Sequence, residues 1–364
     1  MIPVDVFQRL ATAASRAPSA DNMQAWAFAG TGDAVEVYLD PARVLPTDVN
    51  AMFAWVGLGA AVENLVIAAA REGFSATVDD DGLPFSHQPK VGPPSNAATP
   101  VTVRLAPAGQ DNPLASWIER RETNRGPYDT APLEPGTIDE LTRAVADLDA
   151  GVHWAGGADN LNLMATMDAR STYIRLEHEP LHDELFAILR FNRRELEQAR
   201  FGLEFASLGV PVALVSLARM LRCPAVMQIV SRLGFGRAVA RRLAAKLRAA
   251  GAVCLITARK PGPAGYVEAG RVMERIWLEA TARGLAVQPH GVLPQYLTKL
   301  EAEPDGFTPR HATTMARHRE PFQALFPLQA GERPSMVLRV GRPRHHPARP
   351  SLRLPVDQLI RTSR

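Results

Sequence analysis

Three segments of this chain bring polar side chains together at spacings that suit an anionic, heteroatom-rich ligand. The first is Ala17-Pro18-Ser19-Ala20-Asp21-Asn22-Met23-Gln24-Ala25-Trp26, a polar turn between a helix and a strand. Its short hydroxyl and amide groups both donate and accept hydrogen bonds. Taken alone, it is equally well a capped turn with Trp26 in the core. The second is Arg120-Arg121-Glu122-Thr123-Asn124-Arg125. In extended backbone alternate side chains share one side, so two guanidinium groups and a hydroxyl face the same way, as a phosphate requires. The third is Arg349-Pro350-Ser351-Leu352-Arg353-Leu354-Pro355, which by itself is no more than a basic tail.

Other motifs carry less. His178-Glu179-Pro180-Leu181-His182 has the letters of a zinc-protease helix, but Pro180 cannot sit inside that helix and suits a helix start. Gly234-Phe235-Gly236-Arg237-Ala238-Val239 lacks the third glycine and the preceding strand of a dinucleotide site. His345-His346 falls in a Pro/Arg-rich loop and reads as solvated. Cys223 and Cys254 both lie in apolar surroundings, which fits buried thiols better than a disulfide or a zinc site. No metal site is expected.

These segments need a scaffold, and 364 residues at 46% hydrophobic supply one of about two globular units. The stretch from Gly209 to Val230 is broken by Arg219, Arg222 and Pro224, so no membrane crossing is expected. The start shows no basic and apolar leader pattern, and the expected location is cytoplasmic. Residues 1–110 carry six Lys/Arg against eleven Asp/Glu, leaving the excess of basic groups in residues 111–364. That imbalance suits an anionic small molecule better than nucleic acid, since aromatics do not interleave the cations. The basic stretch Arg232 to Arg248 reads as a solvated face rather than a membrane contact.

Apolar spacing predicts helices over 4–17, 50–71, 114–121, 173–200 and 266–283, another after Pro135 capped by Thr137, and two or three more in 202–250. Strands are expected at 26–28, 35–39, 101–105, 252–257 and 336–340, with a loop at 79–100. Two of the helices resemble one another. Gly59, Glu63 and Gly73 recur 211 positions later as Gly270, Glu274 and Gly284. Such an offset marks two copies of one unit, able to build within one chain what a symmetric dimer builds from two.

In combination, the segments and the repeat resemble the FMN-binding nitroreductase superfamily, and most of all its duplicated Acg-like branch. Arg121-Glu122-Thr123-Asn124-Arg125 stands for that family's Arg-rich segment, and Pro18 to Phe28 for its Pro-Ser-Asn-Gln-Trp segment. Gly284-Leu285-Ala286 stands for its central helix end, and Arg353-Leu354-Pro355-Val356 for its C-terminal Arg-x-Pro-Leu. The resemblance implies an α+β nitroreductase-like fold of mixed β-sheets flanked by helices, in two tandem repeats, 1–110 and 111–364. The second repeat would carry a helical lid at about 202–250. It also implies FMN as cofactor and NAD(P)H as electron donor. Arg121, Thr123 and Arg353 would hold the phosphate, and Arg125 the N1/O2 edge of the ring. Ser19, Asn22 and Gln24 would contact the ring or ribityl chain from the other half. Gly291 and Val292 would lie in the turn facing flavin N5, with His290 as a proton donor. Because each repeat has only one of the two complementary segments, one flavin per chain is expected.

The implied function is hydride transfer through flavin N5 to a small organic substrate, a nitro compound, quinone or metabolite. The alternative is an FMN-binding or sequestering protein whose closed lid allows little turnover. A small molecule is the expected partner, with no nucleic acid and no membrane, and a monomer is compatible with duplication.

Overall fold

The computed structural model describes residues 2–83, 99–107, 110–208, 215–345 and 350–361. Helix α1 (Val4–Ser15) buries Val6, Leu10, Ala11 and Ala14 at helical spacing. It leads through the 18–24 turn into the hairpin β1 (Trp26–Thr31) and β2 (Ala34–Leu39), which turns at Gly32 with φ of 62°. Helix α2 (Met52–Arg71) follows, then β3 (Phe74–Asp79) and β4 (Val101–Pro107). The sheet order is β1-β2-β4-β3, antiparallel throughout.

The second part opens with a 3-10 turn, Pro113–Trp117, where sequence spacing predicts an α-helix. Helix α3 (Pro135–Arg143) starts three residues earlier than the Thr137 cap implies, because Pro135 at the first helical position is pre-set for helical φ. Next come β5 (Ala150–Ala155), α4 (Ala158–Glu177), α5 (Glu179–Ile188), β6 (Leu189–Arg190), α6 (Arg193–Ala199) and β7 (Leu203–Glu204). Short helices α7 (Val215–Met220), α8 (Pro224–Arg232) and α9 (Phe235–Ala244) occupy the 202–250 region. The chain ends with β8 (Ala252–Ala258), α10 (Gly262–Ala282), β9 (Ala286–His290), α11 (Val292–Ala302), α12 (Pro309–Leu325) and β10 (Arg333–Gly341). Its sheet runs β5-β8-β10-β9, again antiparallel.

The two sheets share one plan: two strands, a long helix, then two strands that exchange places at the edge. Among the described residues, parallel pairing is confined to β6 with β7 and to isolated bridges, one of which joins Ile360 to Phe28 on β1. The C-terminal segment therefore returns to the first sheet, and Arg361 N donates to the Phe28 carbonyl.

Helices α2 and α10 cross at the centre of the main core. A Cβ on Gly59 would stand 2.0 Å from the Val267 carbonyl oxygen, and one on Gly270 would stand 2.0 Å from that of Val56. These two contacts are related by the same 211-residue offset as the sequence repeat. Gly73 and Gly284 end their helices with positive φ, 83° and 71°. Helix α2 is strongly apolar, and its residues are almost all buried against the rest of the fold. The equivalent glutamates both face helix partners: Glu63 accepts from Arg271 and Arg275, whereas Glu274 faces Arg121.

Candidate functional site

A cavity of about 1040 Å³ opens between the halves. Its floor is the α2–α10 crossing, with Val56, Gly57, Met273 and Trp277, and its far wall is the 202–250 region, with Phe205, Leu208, Leu217 and Met227. That size suits a cofactor or a drug-sized ligand. Nine of the ten residues singled out from sequence line it: Ser19, Asn22, Arg121, Thr123, Arg125, His290, Gly291, Val292 and Arg353. Gln24 does not.

The 18–24 turn is shaped by three residues in the left-handed region, Asp21, Asn22 and Gln24 at φ of 49°, 58° and 55°. Such angles cost energy outside glycine and persist only where the surroundings hold them. Gln24 does that holding. Its fully buried amide donates to the Asn22 and Arg200 carbonyls and accepts from Leu354 N, while its own N–H donates to Ser19 Oγ. Arg175 on α4 secures Asp21 at 2.6 Å. The expected ligand contact by Gln24 is thus replaced by a positioning role, because both ends of its amide are spent on backbone.

Arg353 departs from expectation in the same way. Its Nε donates to Ser15 O, Nη2 to Arg16 O and Ala17 O, and Nη1 to Asn22 Oδ1 and to the Ser351 and Leu352 carbonyls. A guanidinium has five N–H donors, so none remains for a phosphate. The side chain instead closes the C-terminal end of α1, where carbonyls lack helical partners. Burial, with repulsion from Arg121 and Arg16, pushes it down to about 9.

Arg121 to Gly126 runs along the opposite wall. Thr123 bridges Val287 on β9, Asn124 N donates to Val287 O, and Asn124 Nδ2 donates to His345 O. Arg121 is buried over the Trp277 ring at 4.7 Å, with Nε 2.9 Å from Glu274 and Nη2 donating to Arg16 O. Its Nη1 makes no hydrogen bond or ion pair among the described residues. Burial pushes Glu274 up to about 7 against the pull of Arg121. Glu122 accepts from Arg16 and from both Ser351 N and Oγ, each at 3.1 Å. It therefore neutralises part of the expected phosphate end from within. Arg125 makes no hydrogen bond or ion pair among the described residues, and burial lowers its pKa despite the nearby Asp21.

His290 ends β9. Its Nδ1 lies 3.4 Å from Asp168 on α4, and its buried Nε2 has no hydrogen-bond partner among the described residues. Gly291 follows; a Cβ there would strike the Phe53 ring at 2.4 Å, which fixes how closely α11 approaches α2. Lys246 also faces the cavity, donating to Leu208 O, and burial with repulsion from Arg339, Arg125 and Arg242 pushes it down to about 8. Asp168, Arg175 and Lys246 carry no motif in the sequence. Only packing brings them here.

Of the motifs set aside from sequence, the 178–182 pair stays away from this cavity, whereas Phe235 and Val239 of the glycine motif and His345 line it. His178 closes α4 and Pro180 opens α5, so the two histidines do not share one helix. No cluster of metal-ligating residues exists among the described residues. Cys254 is buried as expected, but Cys223 is exposed, because it precedes α8 on the outer side of the 202–250 region. His346 and Arg349 lie outside the described residues.

No protein-family model matches the chain. An uncharacterized protein of Mycobacterium tuberculosis is 24% identical over 327 residues, 89% of this chain and 44% of the relative. A putative NAD(P)H nitroreductase, acg, from the same organism is 35% identical over 80 residues, 22% of this chain and 24% of the relative. The chain thus spans less than half the length of the curated relatives it matches. Among solved structures, the FMN and NADPH-dependent nitroreductase NfnB from Sphigopyxis sp. strain HMH is 15% identical; the match covers 69% of this chain and 99% of that one, at a TM-score of 0.40.

Proposed function

We propose that the chain is a flavin-dependent oxidoreductase of the nitroreductase kind. It would hold one FMN between two nitroreductase-like repeats, 1–110 and 111–364, and reduce a small organic acceptor at the expense of NADH or NADPH. One observation carries this reading: Ser19 and Asn22 meet Arg121, Thr123 and Arg125 on a single cavity, across about a hundred residues of chain. The likeness of an 80-residue stretch to a putative NAD(P)H nitroreductase points the same way.

The residues fit such a group. Arg125 is a cation on the cavity wall without an anion of its own, His290 Nε2 is a buried polar atom without a partner, and the Ser19 and Thr123 hydroxyls lie on the same walls. Arg121, through Nη1, and Thr123 would hold the phosphate, and Arg125 would face the ring edge that gains negative charge. FMN, when bound, supplies the hydride chemistry. The chain's own part is to bind, orient and keep water out, the last through the apolar wall of Phe205, Leu208 and Leu217. His290, held through Nδ1 by Asp168, would present Nε2 to the acceptor and could donate a proton there only as the imidazolium.

That same wall favours a second reading, in which FMN is sequestered and turns over little. Purified protein mixed anaerobically with NADPH or NADH separates the two. Rapid bleaching of the flavin band supports the enzyme, whereas bleaching by dithionite alone supports sequestration. Colourless protein that takes up no FMN, or a stoichiometry of two per chain, overturns both.

A further inference from the structure

We infer that the outward surface of α7 to α9 docks on an anionic lipid bilayer. From Phe205 to Gly251 the sequence has eight Arg/Lys and no Asp or Glu. Five large hydrophobic side chains are exposed among the described residues, and three of them lie in this segment: Met220 at 63%, Ile229 at 60% and Leu233 at 84%.

The two properties share one surface. Helix α8 turns Met227 and Ser231 inward and leaves Ile229 and Arg232 outward, with Leu233 just past its end. Helix α9 buries Gly236, Ala240 and Ala244 and exposes Arg237, Arg241 and Arg242. Arg222, Arg232 and Arg241 are exposed and make no ion pair among the described residues, unlike Arg219, which pairs with Glu195 at 3.1 Å.

Charge complementarity selects the partner. Cations without carboxylates gain near an anionic surface, and apolar side chains standing among them gain only if that surface also has an oily layer beneath. A nucleic acid would satisfy the arginines and leave Leu233 and Ile229 against phosphate. A bilayer takes both. Such docking runs against the sequence expectation of no membrane partner, which weighed the basic residues without the exposed apolar ones. Met227, Phe235 and Val239 of the same helices line the cavity, so one layer has the cavity on its inner side and the docking surface on its outer side.

The test is co-sedimentation of the full chain with vesicles of phosphatidylglycerol and phosphatidylcholine in equal parts, compared with phosphatidylcholine alone. Binding to the anionic vesicles only, weakening as salt rises, is expected. The triple change Arg222→Gln, Arg232→Gln and Arg241→Gln should weaken binding by about a hundredfold, at roughly fivefold per cation. Ile229→Ser with Leu233→Ser should weaken it at least tenfold; circular dichroism confirms that both variants fold. Failure of the unaltered chain to sediment with anionic vesicles overturns the proposal. So does undiminished binding by the apolar double variant, or duplex DNA bound as tightly as vesicles at equal ionic strength.

Discussion

Nδ1 of His290 lies 3.4 Å from Oδ1 of Asp168, and both side chains are more than nine-tenths buried. A carboxylate on one ring nitrogen fixes the imidazole and leaves the other nitrogen to serve the cavity. His290→Ala is therefore expected to lower steady-state turnover about a hundredfold, the lower end for a lost general acid. Asp168→Asn should lower kcat by a smaller factor and leave KM in place. Unchanged turnover in His290→Ala would reduce that residue to a packing role.

Two of the three arginines singled out from sequence, Arg125 and Arg353, should behave oppositely. Arg353→Lys is expected to destabilise the flavin-free chain by about 3 kcal/mol, since three ammonium donors cannot serve the carbonyls of Ser15, Arg16 and Ala17 together with Asn22. Arg125→Ala should leave thermal stability near that of the parent while weakening FMN binding by about 1–3 kcal/mol. Denaturant melts and flavin titrations separate these effects. Equal melts for both variants would contradict the hydrogen-bond assignment.

Acidity should stabilise the fold near neutral pH. Burial pushes the Asp48 carboxyl up to about 7, although the Phe53 and Ala54 amides each donate to it at 3.0 Å. Its ordinary value is 3.8, so between about pH 4 and 7 the folded chain holds a proton that the unfolded chain has released. Stability from this group accordingly falls as pH rises through that window and levels off above it, by about 4 kcal/mol at most. Glu274, also raised to about 7, acts in the same direction. In Asp48→Asn the difference between melts at pH 5.5 and pH 8 should shrink; an undiminished difference would place its origin elsewhere.

Substitution at either central glycine should be severe and similar. A methyl at Gly59 or Gly270 meets a backbone carbonyl at 2.0 Å, which no side-chain rotation relieves. Gly59→Ala and Gly270→Ala are each expected to cost about 3 kcal/mol, the upper range for overpacking, and the double variant less than the sum. Tolerance of either change in a melting experiment would mean that the helices can slide apart.

Much of this was legible in the residues, and what was not has physical causes. Helices α1, α2 and α10 showed through because their apolar spacing runs over many turns, whereas the helix expected over 173–200 is split among the end of α4, α5 and α6, and α11 and α12 went unread. The match of Gly59 with Gly270 survives as a true close approach. Strand β3 was missed because it follows Gly73 directly and none of its residues is fully buried, half-buried ones alternating with exposed ones. Strand β5 was missed too, since its His153 and Trp154 are only partly buried. Residue type placed Arg353 and Gln24 near the cavity but could not show that backbone carbonyls had already claimed their donors. Asp168 was invisible for a different reason: its meaning lies wholly in its distance to His290, 122 positions away.

The reciprocal glycine seam has one more consequence. Each helix supplies the berth for the other's main chain, so neither half of this polypeptide has a finished interior of its own. A fragment cut between the sheets would present α2 as a bare oily ridge, and its cheapest remedy would be to recruit a twin. In such a fragment the seam inside one molecule would become a boundary between two, a boundary that the uncut peptide chain closes permanently.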